Sequence, residues 1–284
     1  MSFFGAFAAI GPRRAVTEGI AARGRSVFAA AIAVLLCSIA ESPPVRAAAV
    51  PVVAAASDLQ YALSEISEAF TRATGSPVKL SFGSSGNFAR QIMQGAPYEL
   101  LFSADEDYVR MLQARGLTEG AGALYAIGRL ALFAPKGSAV KADAEMRDLA
   151  AAAADGRLRR IAIANPEHAP YGRAARAALM HKGLWEKLQA RLVLGENVSQ
   201  TAQFAISGSV DAALIAYSLT FSEAMKRAGS IAPVPHEWHA PLAQRMVLLR
   251  GAGETARRFF AFAQSAPARA VFERHGFSLP PSKG

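Results

Sequence analysis

Phe82-Gly83-Ser84-Ser85-Gly86-Asn87-Phe88 follows a short β-prone run, Val78 to Phe82, and leads into Phe88-Ala89-Arg90-Gln91-Ile92-Met93-Gln94, which reads as helix. A strand that enters a Gly/Ser turn opening a helix presents hydroxyls and backbone N–H groups without intrahelical acceptors, and these suit an anion. The stretch also has a plainer reading, in which Ser85 only caps its own helix, because Ser is a favoured N-cap everywhere. What separates the two is whether other turns of the same kind converge on the same point.

Several do. Val50 to Ala56 is a short apolar run that reads as a buried strand, and Leu59, Ala62, Leu63, Ile66, Ala69, Phe70 and Ala73 then recur at helical spacing up to Gly75. Ser57 and Gln60 form a capping box at the entrance of that helix. Leu100 to Ala104 reads as the next strand, Asp107 to Arg115 as a helix, and Tyr125 to Ala134 as one strand stopped by Pro135. Further on, helix is expected over Met146 to Ala154, strand over Arg160 to Ala164, and helix from Pro170 to about Lys182, with its proline at the tolerated first turn. Leu192 to Leu194 and Val210 to Tyr217 read as strands, and Gly195 to Ser199 opens a helix between them over Gln200 to Ser207. The C-terminal third gives a strand at Met246 to Leu249 and helices over Glu254 to Gln264 and Pro267 to His275. Alternating strands and helices argue for an α/β fold of mainly parallel sheets covered on both faces. In such sheets ligands bind at the carboxyl ends of strands, where the next helices begin. Ser57, Ser85, Pro170-Tyr171-Gly172 and Asn197-Val198-Ser199 all fall at junctions of that kind.

The chain has 284 residues, 52% hydrophobic and 19% charged, enough for a substantial core and neither disordered nor polytopic in composition. Residues 1–49 read as a secretory signal peptide. Arg13, Arg14, Arg23 and Arg25 precede the apolar run Val27 to Ala40, and a small-residue cleavage site follows near Ala47 to Ala49. Arg13-Arg14 fits twin-arginine export poorly. Cys37, the single cysteine, is preceded by Leu36 where a lipoprotein signal wants a small residue, so the mature chain is expected to be soluble and free of cysteine. The removed segment carries five Arg against Glu18 and Glu41, so +3 of the net +9 leaves with it and +6 stays. Nucleic acid is not an expected partner: Lys and Arg are scattered, with no basic stripe interleaved with aromatics.

No convincing catalytic set is legible. Gly83-Ser84-Ser85-Gly86-Asn87 approaches a nucleophile elbow but ends in Asn, and nothing in the sequence places His168 beside it as a base, which leaves a secreted Ser-dependent hydrolase as a weak alternative. His236-Glu237-Trp238-His239 spaces its His residues by three rather than four, which fails as a zinc-protease helix, and no cation site or cofactor motif is found. A binding protein needs less. Hydroxyls, backbone N–H groups and helix N-termini in a dehydrated cleft hold an oxyanion without Lys or Arg, and a fixed ring of such donors rejects ions of the wrong size.

From Val52 to Leu279 the chain resembles the periplasmic molybdate-binding proteins of bacterial ABC importers. The likeness is carried by Ala54-Ala55-Ala56-Ser57, Phe82-Gly83-Ser84-Ser85, Ala89-Arg90-Gln91-Ile92, Gly95-Ala96-Pro97, Ser103-Ala104-Asp105, Pro166-Glu167-His168-Ala169-Pro170, Glu196-Asn197-Val198 and His275-Gly276-Phe277. The resemblance implies a two-lobed periplasmic binding protein fold with the ion in the hinge cleft, residues 50–130 with 240–284 forming one lobe and 131–239 the other. It implies molybdate or tungstate as ligand, no cofactor, a membrane permease with its cytoplasmic ATPase as partners, a monomer, and a periplasmic location. Sulfate, phosphate or another tetrahedral anion is the alternative ligand. Carried over, Ser57 and Ser85 bind the ion through hydroxyl and N–H, Tyr171 and Val198 through N–H, and Tyr217 through its phenol.

Three departures stand out. Asp58 follows Ser57 where many members carry an uncharged residue, and it is expected to face away from the ion and stabilise the helix start. Tyr171 replaces a smaller residue of some members, which puts its phenol within reach of the cleft. After Tyr217 the chain runs Ser218-Leu219-Thr220 instead of the Gly-Ser-Asp or Thr-Asp of relatives.

Overall fold

The computed structural model describes residues 50–280; the signal-peptide reading of 1–49 lies outside them. In chain order the elements are Val52–Ala56 (β1), Gln60–Thr74 (α1), Lys79–Gly83 (β2), Ser85–Met93 (α2), Leu100–Ser103 (β3), Asp107–Ala114 (α3) and Ala123–Gly128 (β4). Then come Leu130–Pro135 (β5), Arg147–Asp155 (α4), Ile161–Ala164 (β6), Pro170–His181 (α5), Trp185–Leu188 (α6), Leu192–Gly195 (β7), Val198–Ile206 (α7), Ala212–Ala216 (β8), Glu223–Ala228 (α8) and Gly229–Pro233 (β9). Leu242–Leu248 (β10), Glu254–Phe262 (α9) and Ala266–Arg274 (α10) complete the chain.

These strands form two five-stranded sheets, in the orders β2-β1-β3-β10-β4 and β7-β6-β8-β5-β9. The two are built alike. In each, three parallel strands lead, and a reversed strand, β10 or β5, occupies the fourth place. β1 sends the chain first to β2 on one side and then to β3 on the other, and β6 does the same with β7 and β8, so each sheet has a switch point at the carboxyl end of its central strand. A crevice opens at such a point because consecutive helices leave it on opposite faces.

Local chemistry explains the elements. β1 and β6 are uninterrupted apolar runs buried on both faces, as parallel strands under helices must be. α1 buries Ala62, Leu63, Ile66 and Phe70 on one stripe and closes at Gly75, whose φ of 69° is the left-handed conformation that glycine adopts without strain. Phe70 meets Phe259 of α9 edge to face at 5.2 Å, tying the C-terminal helices to the first sheet.

Two expectations are corrected. Tyr125 to Ala134 is not one strand: β4 and β5 belong to different sheets, with Arg129 alone between them. The apolar pattern runs on through the crossing because both strands are buried, and periodicity alone does not register a change of sheet. The Ser57–Gln60 capping box is absent as well. Ser57 begins a 3₁₀ turn, Ser57–Leu59, with no side-chain cap, and its hydroxyl is used elsewhere.

Candidate functional site

Four junctions meet. Ser57 is the first residue after β1, Ser85 the first of α2 after β2, Tyr171 the second of α5 after β6, and Val198 the first of α7 after β7. They are 3%, 0%, 2% and 4% exposed, and all four line one small pocket of about 10 Å³ between the two sheets. Ala56, Gly83 and Ala104 complete the first sheet's wall, small residues that let backbone come close. No Lys, Arg or His lines it. Ser85, Tyr171 and Val198 stand in first helical turns and Ser57 opens the turn into α1, positions whose N–H groups lack intrahelical acceptors and where the helix dipole is positive.

Both serines are set up as donors. Ser85 Oγ accepts from the N–H of Ala104 at 2.9 Å, and Ser57 Oγ accepts from the N–H of Ser199 at 3.3 Å. With an acceptor site of each oxygen taken by backbone, the hydroxyl hydrogens are left for whatever enters the pocket. Cap duty at α2 falls to Ser84, which accepts from Asn87 N–H, and at α7 to Asn197, which accepts from Gln200 N–H at 3.0 Å.

Asp58 also lines the pocket, and its carboxyl is buried. It is 2% exposed and lies between the lobes: Oδ2 accepts from Tyr171 Oη at 3.1 Å and from Gln244 Nε2 at 2.5 Å, while Oδ1 is buried without a partner. Burial pushes the Asp58 pKa up to about 6, opposed by the hydrogen bonds from Gln244 and Tyr171. The same burial, with Asp58 alongside, drives the Tyr171 phenol well above its ordinary value, so it stays a donor. The Tyr171 phenol does reach the cleft. Tyr217 is not brought to the pocket. Its ring lies under the Arg129 guanidinium at 4.6 Å and against Phe221 at 5.2 Å, lining a separate depression with Lys226 and Pro233.

Residues 51–278 match the family model of the bacterial extracellular solute-binding protein. The chain belongs to this family. The solute-binding protein is 34% identical over 242 residues to the molybdate-binding protein ModA of Rhodobacter capsulatus, across 81% of this chain and 89% of that one. The periplasmic molybdate-binding protein of Azotobacter vinelandii superposes with a TM-score of 0.73 at 32% identity, covering 81% of this chain and 100% of that one. The sulfate-binding protein SubI of Mycobacterium tuberculosis, at 13% identity and a TM-score of 0.64, shares the fold alone.

The two lobes touch through groups that the sequence does not pair. Ser84 Oγ lies 2.9 Å from His168 Nδ1, and Gly86 N–H donates to His168 O at 3.0 Å. Asn87 bonds Glu196, Arg173 pairs with Asp105, and Arg173 also donates to Tyr108 Oη at 2.9 Å. Ser199 Oγ donates to Ser57 O at 2.9 Å, and Ser218 Oγ to Asp58 O at 2.8 Å. Burial holds the His168 pKa below its ordinary value, against the pull of Glu196. The elbow of a hydrolase would need His168 on Ser85, but His168 Nδ1 meets Ser84 Oγ, the cap of α2, across the seam, while Ser85 Oγ accepts from Ala104 N–H. Of the residues missed from sequence, Ser84, His168 and Ser199 sat inside the recognised junctions; Gln244, on β10, left no local signal.

Proposed function

We propose that this protein captures molybdate, and tungstate with it, in the pocket between its lobes and delivers the ion to the membrane permease and ATPase of an ABC importer. One observation carries the reading: Ser57, Ser85, Tyr171 and Val198, two from each sheet, bring neutral hydrogen-bond donors to a single buried pocket. Donors from both lobes gain their full set of partners only when the lobes are shut, so the ion stabilises the closed form by its differential affinity. The 34% identity to a molybdate-binding relative supports the choice of ion. Residues 50–130 with 240–284 act as one lobe and 131–239 as the other. The exported protein, cut near Ala47 to Ala49, works as a periplasmic monomer.

A second reading, hydrogen phosphate, has one feature in its favour: a carboxylate in the pocket wall, Asp58, accepts a hydrogen bond from an ion that carries its own proton. Calorimetric titration with molybdate, tungstate, sulfate and phosphate separates the two. Tight binding of molybdate and tungstate with sulfate at least a hundredfold weaker is the expected result. Absence of molybdate binding, or phosphate binding more tightly, overturns the molybdate reading.

A further inference from the structure

We propose that Asp58 serves the pocket as a neutral carboxylic acid whose Oδ1–H donates to the bound oxyanion, so that capture of a dianion takes up one proton from solvent. The inference rests on the molybdate reading. Its basis is the division of labour between the two carboxyl oxygens. Oδ2 already accepts from Tyr171 Oη and Gln244 Nε2, as the carbonyl-like oxygen of an acid does. Oδ1 is buried, unpartnered and on a side chain that lines the pocket. A buried oxygen left without a partner is costly, and a hydrogen bond to the ion satisfies it only if Oδ1 carries the proton.

No cation compensates the carboxylate. The groups facing Asp58 are the Tyr171 phenol from α5, the Gln244 amide from β10 with the Tyr125 phenol behind it at 2.7 Å, Ser218 on its backbone carbonyl, and the backbone N–H groups of Asp58 and Leu59, whose combined pull towards the ionised form is outweighed by burial. The charged groups of the lobe seam are engaged elsewhere, Arg173 with Asp105, and Glu196 and Arg90 both with Asn87 beside His168. An ionised Asp58 would thus place an uncompensated negative charge in the wall of a site for a doubly charged anion, in a low-dielectric setting. Protonation removes the repulsion and converts the offending group into a directed donor. The equation is simple: carboxylate, proton and dianion combine into a complex of charge −2, with no bond broken beyond those of the proton's hydration. Burial already raises the Asp58 pKa to about 6, so the ion-free carboxylate is still ionised above pH 7 and takes up its proton with the ion.

The test is calorimetry of molybdate binding to the intact mature protein between pH 7 and 8.5, in two buffers of different ionisation enthalpy. His168, held below its ordinary pKa by burial, stays neutral over this range. The expected result is an observed heat that differs between buffers by the equivalent of about one proton per ion, and a Kd that rises about tenfold per pH unit. Asp58→Asn, whose amide supplies the same hydrogen bond without a proton, should bind molybdate with no proton uptake and a flat pH profile. Molybdate binding with no buffer dependence in the natural protein overturns the proposal, and so does an Asp58→Asn protein that keeps the pH slope. The buffer comparison on the natural protein decides the matter even if the variant fails to fold. Absence of any molybdate heat instead overturns the functional reading, and this inference with it.

Discussion

Ser84 Oγ and His168 Nδ1, 84 positions apart in sequence, lie 2.9 Å apart and form a direct bond between the two lobes. The bond exists only when the lobes are shut, so its energy acts on ion release more than on ion entry. His168→Ala should raise the molybdate dissociation rate about tenfold, the worth of one hydrogen bond of about 1.4 kcal/mol, with little change in association. Stopped-flow release measurements check this, and an unchanged off-rate would show that the pair contributes nothing to closure.

Gly86 marks a close approach of the lobes. A Cβ there would stand 2.6 Å from the backbone oxygen of His168 and 2.5 Å from the Tyr108 hydroxyl. Tyr108 can swing aside, but a backbone carbonyl at the head of α5 moves only with its lobe. Gly86→Ala should therefore leave the thermal stability of the ion-free protein within a few degrees while weakening molybdate at least tenfold. Small-angle scattering with saturating ion should show a more open molecule than the natural protein; equal compaction would sink the steric account.

Ser85 has two tasks, accepting from Ala104 N–H and donating to the ion. Ser85→Ala orphans a buried N–H, which costs about 1–3 kcal/mol of fold stability, and removes a charge-assisted hydrogen bond from the ligand. A lower melting temperature together with a ten- to hundredfold weaker affinity is expected. Loss of stability alone would reduce Ser85 to a structural residue.

Asp58 gives a stability prediction with a definite sign. Its pKa is raised in the folded protein, from 3.8 to about 6, so the native state binds the extra proton. Its contribution is fully favourable below about pH 4 and is lost as pH rises through 6, amounting to about 3 kcal/mol of destabilisation above pH 7. Glu65, Glu119, Asp148, Asp155 and Asp211 are shifted the other way and mask this trend in the natural protein. Urea unfolding of Asp58→Asn without ion should show a gain over the natural protein at pH 7.5 that shrinks towards pH 4. A constant difference across that range would argue against an ionised, buried Asp58 in the ion-free state.

Tyr217→Phe should change molybdate affinity less than twofold, because the phenol lies beside Arg129 and Phe221 and away from the pocket. A larger loss by calorimetry would bring this residue back into the site.

The parts legible from sequence were those with a local signature. A small or capping residue between an apolar run and a helical period points to Ser57, Ser85 and the junctions Pro170-Tyr171-Gly172 and Asn197-Val198-Ser199, within which the family resemblance singles out Tyr171 and Val198. Tyr217 sits at a junction of the same look, after β8, yet the chain there enters the 3₁₀ turn Tyr217–Phe221 and the ring follows that turn towards Phe221. Gln244 meets Asp58 from 186 positions away, and no pattern within β10 distinguishes it from its neighbours. The crossing at Arg129 was invisible for the opposite reason, an apolar pattern too continuous to show a break. The anomaly at Asp58 is legible in sequence, but that Tyr171 and Gln244 hold its carboxyl buried between the lobes is shown only by the packed structure.

Gly128 pairs with Leu242 in the first sheet and Leu130 with Ala216 in the second, so Arg129 alone lies between them, its carbonyl accepting from Tyr217 N–H at 2.8 Å. The return connection, between Pro233 and Leu242, is longer and carries its own turn at His236–Trp238. The first acts as a pivot and the second as slack. Opening is expected to be a swing governed by few backbone torsions. Mechanically the molecule resembles a book with a narrow spine, and stiffening that spine, as Arg129→Pro would by fixing φ, should slow opening and closing alike while leaving both pages intact.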